Sequence, residues 1–111
     1  MRPIIIGAGP GGYPCAIRLA QLGVKALIIE RDNWGGVCLN VGCIPSKALL
    51  DSSHHYHDAE KNFEKHGIDI PKPKVNIKQM IARKGEVVKA NTDGINFLMK
   101  KNKIDVFEGV G

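Results

Sequence analysis

The 111-residue sequence has few cysteines, few aromatic residues and no long apolar run. Three cysteines are too few for a disulfide-stapled secreted scaffold, so we expect a reducing compartment. No apolar stretch approaches the roughly 20 residues that span a bilayer, and glycines interrupt the apolar run after Arg2 too early for a signal-peptide core. We therefore expect a soluble protein with no membrane association and room for one small domain.

The net charge of +5 is unevenly distributed. Residues 72–103 hold nine lysines or arginines against two acids, Glu86 and Asp93. This segment has no interleaved aromatic residues and no nucleic-acid-binding motif. A solvated helix face is the favoured interpretation, and no nucleic acid partner is expected.

Apolar patterning predicts alternating strands and helices. The β-branched run at residues 4–6 is typical of a strand buried on both faces, and residues 11–22 show helical spacing up to a terminating Gly23. Residues 24–30 form a second apolar run after a short loop, which predicts a right-handed βαβ unit with parallel strands. Cys15 lies among apolar residues of the helix, where we expect a small buried side chain.

The rest of the chain is predicted to be mainly helical. A helical pattern covers residues 45–66 and ends at Gly67, and the prolines that follow favour extended backbone. Asn76 is expected to cap a long helix whose apolar residues share one face. Those apolar residues are Ile77, Met80, Ile81, Val88, Ile95 and Leu98. The closing segment alternates as a strand does.

Gly7, Gly9 and Gly12 have the G-x-G-x-x-G spacing of a dinucleotide-binding loop. In order, they would permit a tight turn, close approach of the backbone to a pyrophosphate, and packing of the helix on the strand. Glu30 ends the next predicted strand, where its carboxylate can bind an adenosine ribose. An adenine dinucleotide is therefore predicted, and the fingerprint alone fits NAD or FAD.

Pro14 conflicts with the first predicted helix. If that helix begins at Pro10, Pro14 lies in its second turn, where a proline costs about 3 kcal/mol. We expect the fold to absorb this cost near the helix end.

Cys38 and Cys43 are five positions apart in the stretch "GGVCLNVGCIPSKALL". Five residues of straight helix advance about 7.5 Å, so a disulfide would need a bend, which Gly42 offers. A ring this small adds little structural stability, so the spacing suits a redox disulfide better than a structural one. Zinc is the alternative, but it requires a second pair of ligands, and solvent-facing side chains are the favoured interpretation of the candidates. Those candidates are His54, His55, His57 and Asp58.

The two sulfurs are expected to differ in their surroundings. Pro45 suits the first position of the next helix, which would place Cys43 just outside the positive end of that helix, with Lys47 about one turn away. Both effects favour a thiolate at Cys43, whereas Cys38 is expected to be an ordinary thiol. Thiol–disulfide exchange requires this kind of asymmetry.

The segments "GAGPGGY" and "GGVCLNVGCIPSKALL", together with Glu30, resemble the amino-terminal part of the FAD-dependent pyridine nucleotide disulfide oxidoreductases. The similarity runs along the whole chain, and the cysteine stretch is closest to the lipoamide-linked members. It implies an α/β fold, namely the amino-terminal portion of a Rossmann-like FAD-binding domain with a parallel sheet and long helices. The NAD-binding and interface domains of the family would lie outside residues 1–111.

The resemblance also implies roles for particular residues. Cys38 would exchange with dihydrolipoamide, Cys43 would contact the flavin, and Lys47 would lie near the flavin ring. The residues implied to bind FAD along its length are Gly7, Gly9, Gly12, Glu30, Arg31, Gly35, Gly36, Val37, Cys38, Cys43 and Lys47. Val37 departs from the family pattern, which often has a hydroxyl residue at this position. Electrons would pass from dihydrolipoamide through the disulfide and FAD to NAD, and no metal is implied.

Partners follow from the same resemblance. The family enzyme is a homodimer that would act on dihydrolipoamide carried by a lipoyl domain of a 2-oxo acid dehydrogenase complex, in the cytoplasm or in a eukaryote's mitochondrial matrix. Residues 1–111 alone are expected to be inactive and poorly soluble or partly unfolded, because apolar faces stay uncovered. The alternatives are a glutathione- or mercuric-reductase-like enzyme and a non-catalytic dinucleotide-binding module.

Overall fold

A computed structural model describes all 111 residues as a three-stranded parallel sheet with helices packed against it. The strands are β1 (Ile4–Ile6), β2 (Leu27–Glu30) and β3 (Asp105–Glu108), in the spatial order β1-β2-β3. The helices are α1 (Gly12–Gln21), α2 (Gly36–Val41), α3 (Cys43–Lys61) and α4 (Ile77–Lys101), and a 3-10 turn covers Phe63–His66. The predicted α/β class is confirmed.

Helices cover only one face of the sheet. Strand pairing aligns Ile5, Ile28 and Val106 on the same face, and Ile28 is fully buried in the core with residues of α1 and α4. On the opposite face, Ile4 and Ile6 are 62% and 70% exposed. Within residues 1–111 the prediction that the first strand is buried on both faces is therefore wrong, because no second layer of this segment lies over that side.

The end of α1 sets the start of β2. Gly23 has a left-handed φ of 78°, its amide donates to the carbonyl of Ala20 at 3.0 Å, and the amide of Val24 donates to that of Leu19 at 2.9 Å. This bonding pattern is a Schellman motif, and it confirms Gly23 as the helix terminator. Because Val24 completes the cap, β2 begins at Leu27, three residues later than predicted.

Pro14 lies in the first turn of α1. The helix begins at Gly12, two residues after the predicted start at Pro10. Amides in the first turn have no intrahelical acceptor, so a proline there removes no helical hydrogen bond. The expected cost does not arise.

Cys15 is exposed, which corrects the prediction of a buried side chain. The adjacent Ala16 is fully buried and faces the core. Successive helical residues are rotated by about 100°, so the position before a core-facing residue can point to solvent. The apolar neighbours of Cys15 in sequence therefore gave the wrong side of the helix.

α4 is the longest helix, yet neither it nor any other helix combines the length and apolar character of a membrane span. Asn76 caps it as predicted, because its side-chain oxygen accepts from the amide of Gln79 at 3.1 Å. The predicted apolar face is buried only towards the carboxyl end, at Ile95, whereas Ile77 and Ile81 are exposed. The amino half of α4 extends past the sheet and packs beside α3.

Candidate functional site

The loop after β1 carries the three glycines of the fingerprint. Gly7 has a left-handed φ of 95°, and a Cβ on Gly12 would overlap the carbonyl oxygen of Gly7. Glycine at position 12 therefore allows α1 to begin directly against the end of β1. A Cβ on Gly9, in contrast, would meet no protein atom within 4 Å, so the space in front of this residue is open to a ligand.

Glu30 connects this loop to the end of β2. Its Oε2 accepts from the amide of Ala8 at 2.7 Å, and its Oε1 accepts from the amide of Asp32 at 2.8 Å. Partial burial raises the pKa of Glu30, but hydrogen bonds from the amides of Asp32, Ala8 and Arg31 outweigh that effect and hold the pKa below its ordinary value. The carboxylate is thus ionised at neutral pH, with further lone pairs available to a ribose diol.

Two cavities flank Glu30 and Arg31. One, of about 270 Å³, lies towards the disulfide region, and the other, of about 290 Å³, lies towards the chain's last three residues. The first is lined by Glu30, Arg31, Asp32, Asn33, Gly36, Val37, Asn40 and Val41. The exposed side chain of Arg31 donates from Nε to Asp32 at 3.0 Å. Arg31 and Val37, both predicted to bind cofactor, therefore line the same cavity as Glu30.

Sequence reasoning missed the last three residues of the chain as part of this region. Gly109, Val110 and Gly111 line the second cavity, and the amide of Gly109 donates to the carbonyl of Glu30 at 2.8 Å. The available signal was topological: the carboxyl ends of parallel strands meet at one edge of the sheet, so whatever follows β3 lies near whatever follows β2.

Gly35 and Gly36 bring a second loop against the glycine loop. Both have left-handed φ angles, 90° and 59°. The amide of Gly35 donates to the carbonyl of Ala8 at 2.9 Å, and a Cβ on Gly36 would lie 3.0 Å from the Cα of Gly9. The two backbone segments are thus in direct contact, and the second of them leads straight into α2.

Cys38 and Cys43 form a disulfide, with their Cα atoms 4.6 Å apart. Gly42 separates α2 from α3, and its φ of −126° and ψ of −109° break the helical path. A Cβ on Gly42 would lie 3.0 Å from the carbonyl oxygen of Val37 and 3.3 Å from the Cα of Cys38. The bend predicted at Gly42 is confirmed, and the closeness of the surrounding backbone explains why it is a glycine.

Cys43 is the first residue of α3, which corrects the predicted start at Pro45. Gly42 takes the N-cap position instead, and Pro45 is buried at the third helical position, where its missing amide hydrogen is tolerated. Cys43 is exposed at the positive end of a 19-residue helix, whereas Cys38 is half-buried. Lys47, also exposed, follows Cys43 by one turn. The predicted asymmetry between the two sulfurs thus has a structural basis.

Two of the three histidines of α3 pair with carboxylates of the same helix. His54 lies 3.2 Å from Asp58 and His55 lies 3.7 Å from Asp51. A hydrogen bond from the Asn62 carboxamide, assisted by the nearby histidines, holds the pKa of Asp58 below its ordinary range. No three metal-binding side chains come together in this chain.

These contacts form one continuous path from the carboxylate to the disulfide. Glu30 bonds the amide of Ala8, the carbonyl of Ala8 bonds Gly35, and Gly35 precedes the helix that carries Cys38. An ionised acceptor for a ribose, an open glycine loop at a helix amino end for a diphosphate, and a disulfide therefore lie in sequence along one surface. This arrangement fits an extended adenine dinucleotide whose far end approaches the disulfide.

Comparisons with known proteins agree with this geometry. The pyridine nucleotide-disulphide oxidoreductase family matches residues 1–111. The chain is 52% identical over 108 residues to the mitochondrial dihydrolipoyl dehydrogenase of Schizosaccharomyces pombe, covering 96% of this chain and 21% of that protein. It is 53% identical over 109 residues to mitochondrial dihydrolipoyl dehydrogenase 1 of Arabidopsis thaliana, covering 97% of this chain and 22% of that protein.

A solved structure shows the same fold. The crystal structure of LpdA from Mycobacterium tuberculosis superposes with a TM-score of 0.89 at 24% sequence identity, covering 99% of this chain and 24% of that one. The 111 residues thus span about a fifth of the length of the relatives named above.

Proposed function

This chain belongs to the pyridine nucleotide-disulphide oxidoreductase family, and on that premise we propose that it is the amino-terminal part of the FAD-binding domain of a dihydrolipoyl dehydrogenase. The proposed reaction is oxidation of dihydrolipoamide to lipoamide, with NAD as the final electron acceptor. The NAD-binding and interface domains would lie outside residues 1–111. A disulfide built directly against a dinucleotide loop is the observation that carries the proposal.

Residues at the glycine loop and the end of β2 would hold FAD. Gly7 and Gly9 leave room for the diphosphate, Gly12 lets α1 begin beside it, and the ionised Glu30 would accept hydrogen bonds from the adenosine ribose. Arg31, Gly36 and Val37 would line the path between the ribose and the disulfide, and Gly35 would hold that segment against the glycine loop through its bond to Ala8. When bound, FAD supplies a two-electron carrier between the disulfide and NAD.

Cys38 and Cys43 would exchange with the substrate dithiol. A thiolate of dihydrolipoamide attacks the sulfur of Cys38, which forms a mixed disulfide and breaks the bond to Cys43. The second substrate thiolate then attacks the substrate sulfur of the mixed disulfide, which releases lipoamide and leaves Cys38 reduced. The substrate thus loses two electrons and two protons, and the cysteine pair gains the two electrons.

The fold supplies the preference for Cys43 as the leaving sulfur. Cys43 begins α3, so the positive helix end stabilises negative charge on its sulfur, and the cation of Lys47 lies one turn further on. Cys38 also lies in the first turn of a helix, but α2 has only six residues, so its dipole is smaller, and α2 contains no lysine. Attack at Cys38 is favoured even though Cys43 is the more exposed residue, because exchange is faster when the departing thiol is the better anion.

The full-length protein would be a homodimer, and its natural dithiol would be dihydrolipoamide on a lipoyl domain of a 2-oxo acid dehydrogenase complex. Mitochondrial relatives support a matrix location if the source is a eukaryote, and a cytoplasmic location is proposed otherwise.

Anaerobic spectroscopy of the full-length polypeptide that carries this segment would test the proposal. Addition of one equivalent of dihydrolipoamide should produce a long-wavelength absorbance band that Cys43→Ser lacks, and NAD should then be reduced. Absence of the band from the flavin-loaded protein would overturn the redox assignment. Turnover with glutathione disulfide or mercuric ion, but not with dihydrolipoamide, would assign one of those compounds as the substrate. A folded protein without flavin or thiol reactivity would indicate a non-catalytic module.

A further inference from the structure

The side chain of Asn40 joins α2, the helix that carries Cys38, to the loop that precedes it. Its Nδ2 donates to the carbonyl of Trp34 and to that of Gly36, each at 2.9 Å, so both amide hydrogens are used. The residue is half-buried and lies between Cys38 and Cys43 in sequence. Two backbone hydrogen bonds also cross this junction, from the amide of Gly36 to the carbonyl of Asn33 at 3.0 Å and from that of Leu39 to Gly35 at 3.4 Å, but none reaches Trp34, which only the Asn40 side chain joins to α2.

α2 needs such a link because it is short. It has six residues, and its N-cap Gly35 provides no side-chain hydrogen bond. Helices shorter than about 12 residues are marginal without tertiary support. Besides the backbone hydrogen bonds at its amino end, the support of α2 comes from Leu39 in the core, from the disulfide, and from Asn40. Reduction of Cys38 and Cys43 removes the covalent part of that support.

We propose that Asn40 is a positioning residue that holds α2 in place when Cys38 and Cys43 are reduced, and so keeps the two thiols in reach of each other. The inference rests on the proposed redox function of the pair. Asn40 would act only through the position of Cys38 and would not contact substrate. Its effect on the order of α2 would be greatest in the dithiol state, where fraying of α2 would otherwise separate the sulfurs.

The Asn40 hydrogen bonds should also shift the equilibrium between the disulfide and the dithiol. In the disulfide state the bond enforces the ordered junction, so loss of the Asn40 hydrogen bonds destabilises that state by their full contribution. In the dithiol state of a variant that lacks the carboxamide, α2 can fray, and part of this loss of stability is then avoided. Removing the carboxamide should therefore favour the dithiol. One net hydrogen bond corresponds to a shift of up to about tenfold in this equilibrium, or about 30 mV for a two-electron couple.

Glutathione buffers measure this equilibrium directly. Two glutathione thiols give up two protons and two electrons to form glutathione disulfide, while Cys38 and Cys43 become thiols. The full-length protein would be equilibrated anaerobically at several glutathione ratios, and its free thiols would be counted by alkylation and mass spectrometry. Asn40→Leu, which keeps the approximate shape, and Asn40→Ala should both shift the midpoint several-fold towards the dithiol.

Asn102→Leu is the matched control. Asn102 is also half-buried and donates from Nδ2 to the carbonyl four residues earlier, that of Leu98, at 2.8 Å. It lies at the end of α4 and makes no bond to the disulfide region. Its replacement should lower thermal stability to a similar degree while leaving the glutathione midpoint within about twofold of the unsubstituted protein.

The outcomes separate the inference from the function it rests on. A cysteine pair that titrates reversibly with the same midpoint in both Asn40 variants overturns the positioning role and leaves the redox function intact. A pair that cannot be reduced and reoxidised in the unsubstituted protein overturns both. Hydrogen exchange of α2 before and after reduction needs no variant: protection should persist in the dithiol state, and its loss on reduction would contradict the proposal.

Discussion

Gly36 lies so close to Gly9 that a Cβ on Gly36 would be 3.0 Å from the Gly9 Cα. The neighbour is backbone, which cannot rotate away as a side chain can. The loop leading to the disulfide and the loop leading to α1 therefore determine each other's position. This contact couples the geometry of the disulfide segment to that of the glycine loop without any side chain.

Gly36→Ala should reduce both stability and FAD retention. The left-handed φ of 59° costs an alanine about 1–2 kcal/mol, and the contact with Gly9 then forces the two loops apart. Thermal unfolding and the flavin-to-protein ratio after gel filtration would measure the two effects. Gly67→Ala is the control, because Gly67 has a similar φ of 71° but nothing within 4 Å of its Cβ position. Equal flavin content in the two variants would contradict the proposed coupling.

Gly9→Ala and Gly12→Ala should separate ligand binding from folding. A Cβ on Gly9 meets no protein atom, so the flavin-free protein should keep its stability to within about 0.5 kcal/mol while FAD affinity falls. A Cβ on Gly12 overlaps the Gly7 carbonyl, so that variant should lose stability with or without FAD. The measurements are unfolding of the flavin-stripped protein and titration with FAD. Unchanged FAD affinity in Gly9→Ala would show that the cofactor does not occupy the open space.

Glu30 should make stability depend on acid pH. Its folded-state pKa lies below the ordinary value of 4.5, so the unfolded chain takes up a proton first as the pH falls. The stabilisation is complete above pH 4.5 and is lost as the pH drops through the lower folded value. Glu30→Gln should therefore be less stable at neutral pH and approach the unsubstituted protein in acid. A constant difference across that range, measured by denaturant unfolding, would exclude this linkage.

Local chemistry explains which parts of the fold could be predicted from the sequence. Gly23 and Asn76 mark helix ends through bonds within a few residues, and Gly42 breaks a helix through its own backbone. The burial of side chains was harder to predict, because it depends on elements that are distant in sequence and pack over a strand or helix as a second layer. The exposure of Ile4 and Ile6 follows from which face of the sheet the helices cover, and their sequence does not contain that information.

The candidate site shows the same division. The glycines of the loop and the carboxylate at the end of β2 could be placed by spacing, since each acts through backbone close to it in sequence or in the next strand. Gly109 could not be placed by spacing, because its contact with Glu30 depends on how β3 pairs with β2, and long helices separate these two strands in the sequence. Asn40 was missed because its bond to Trp34 needs the conformation of two left-handed glycines in between.

Pro14→Ala should change stability by less than about 1 kcal/mol. The residue lies in the first turn of α1, where no helical hydrogen bond is lost to a proline. Ala90→Pro, in the interior of α4, should in contrast cost about 3 kcal/mol or more. Urea unfolding of both variants would measure the contrast. A large stabilisation by Pro14→Ala would mean that α1 begins nearer to Pro10.

Residues 1–111 in isolation should unfold without a sharp transition. Only 11 of the 111 residues are buried, and the Cα radius of gyration of 19.3 Å exceeds the roughly 13 Å of a compact chain of this length. Ile6 and Phe107 are more than half exposed on the uncovered face of the sheet. If the rest of the domain covers that face, Ile6→Thr should improve the solubility of the isolated segment but destabilise the full-length protein, because only the latter buries the side chain. Calorimetry and sedimentation would measure both effects, and a cooperative melt of the isolated, monomeric segment would contradict the prediction.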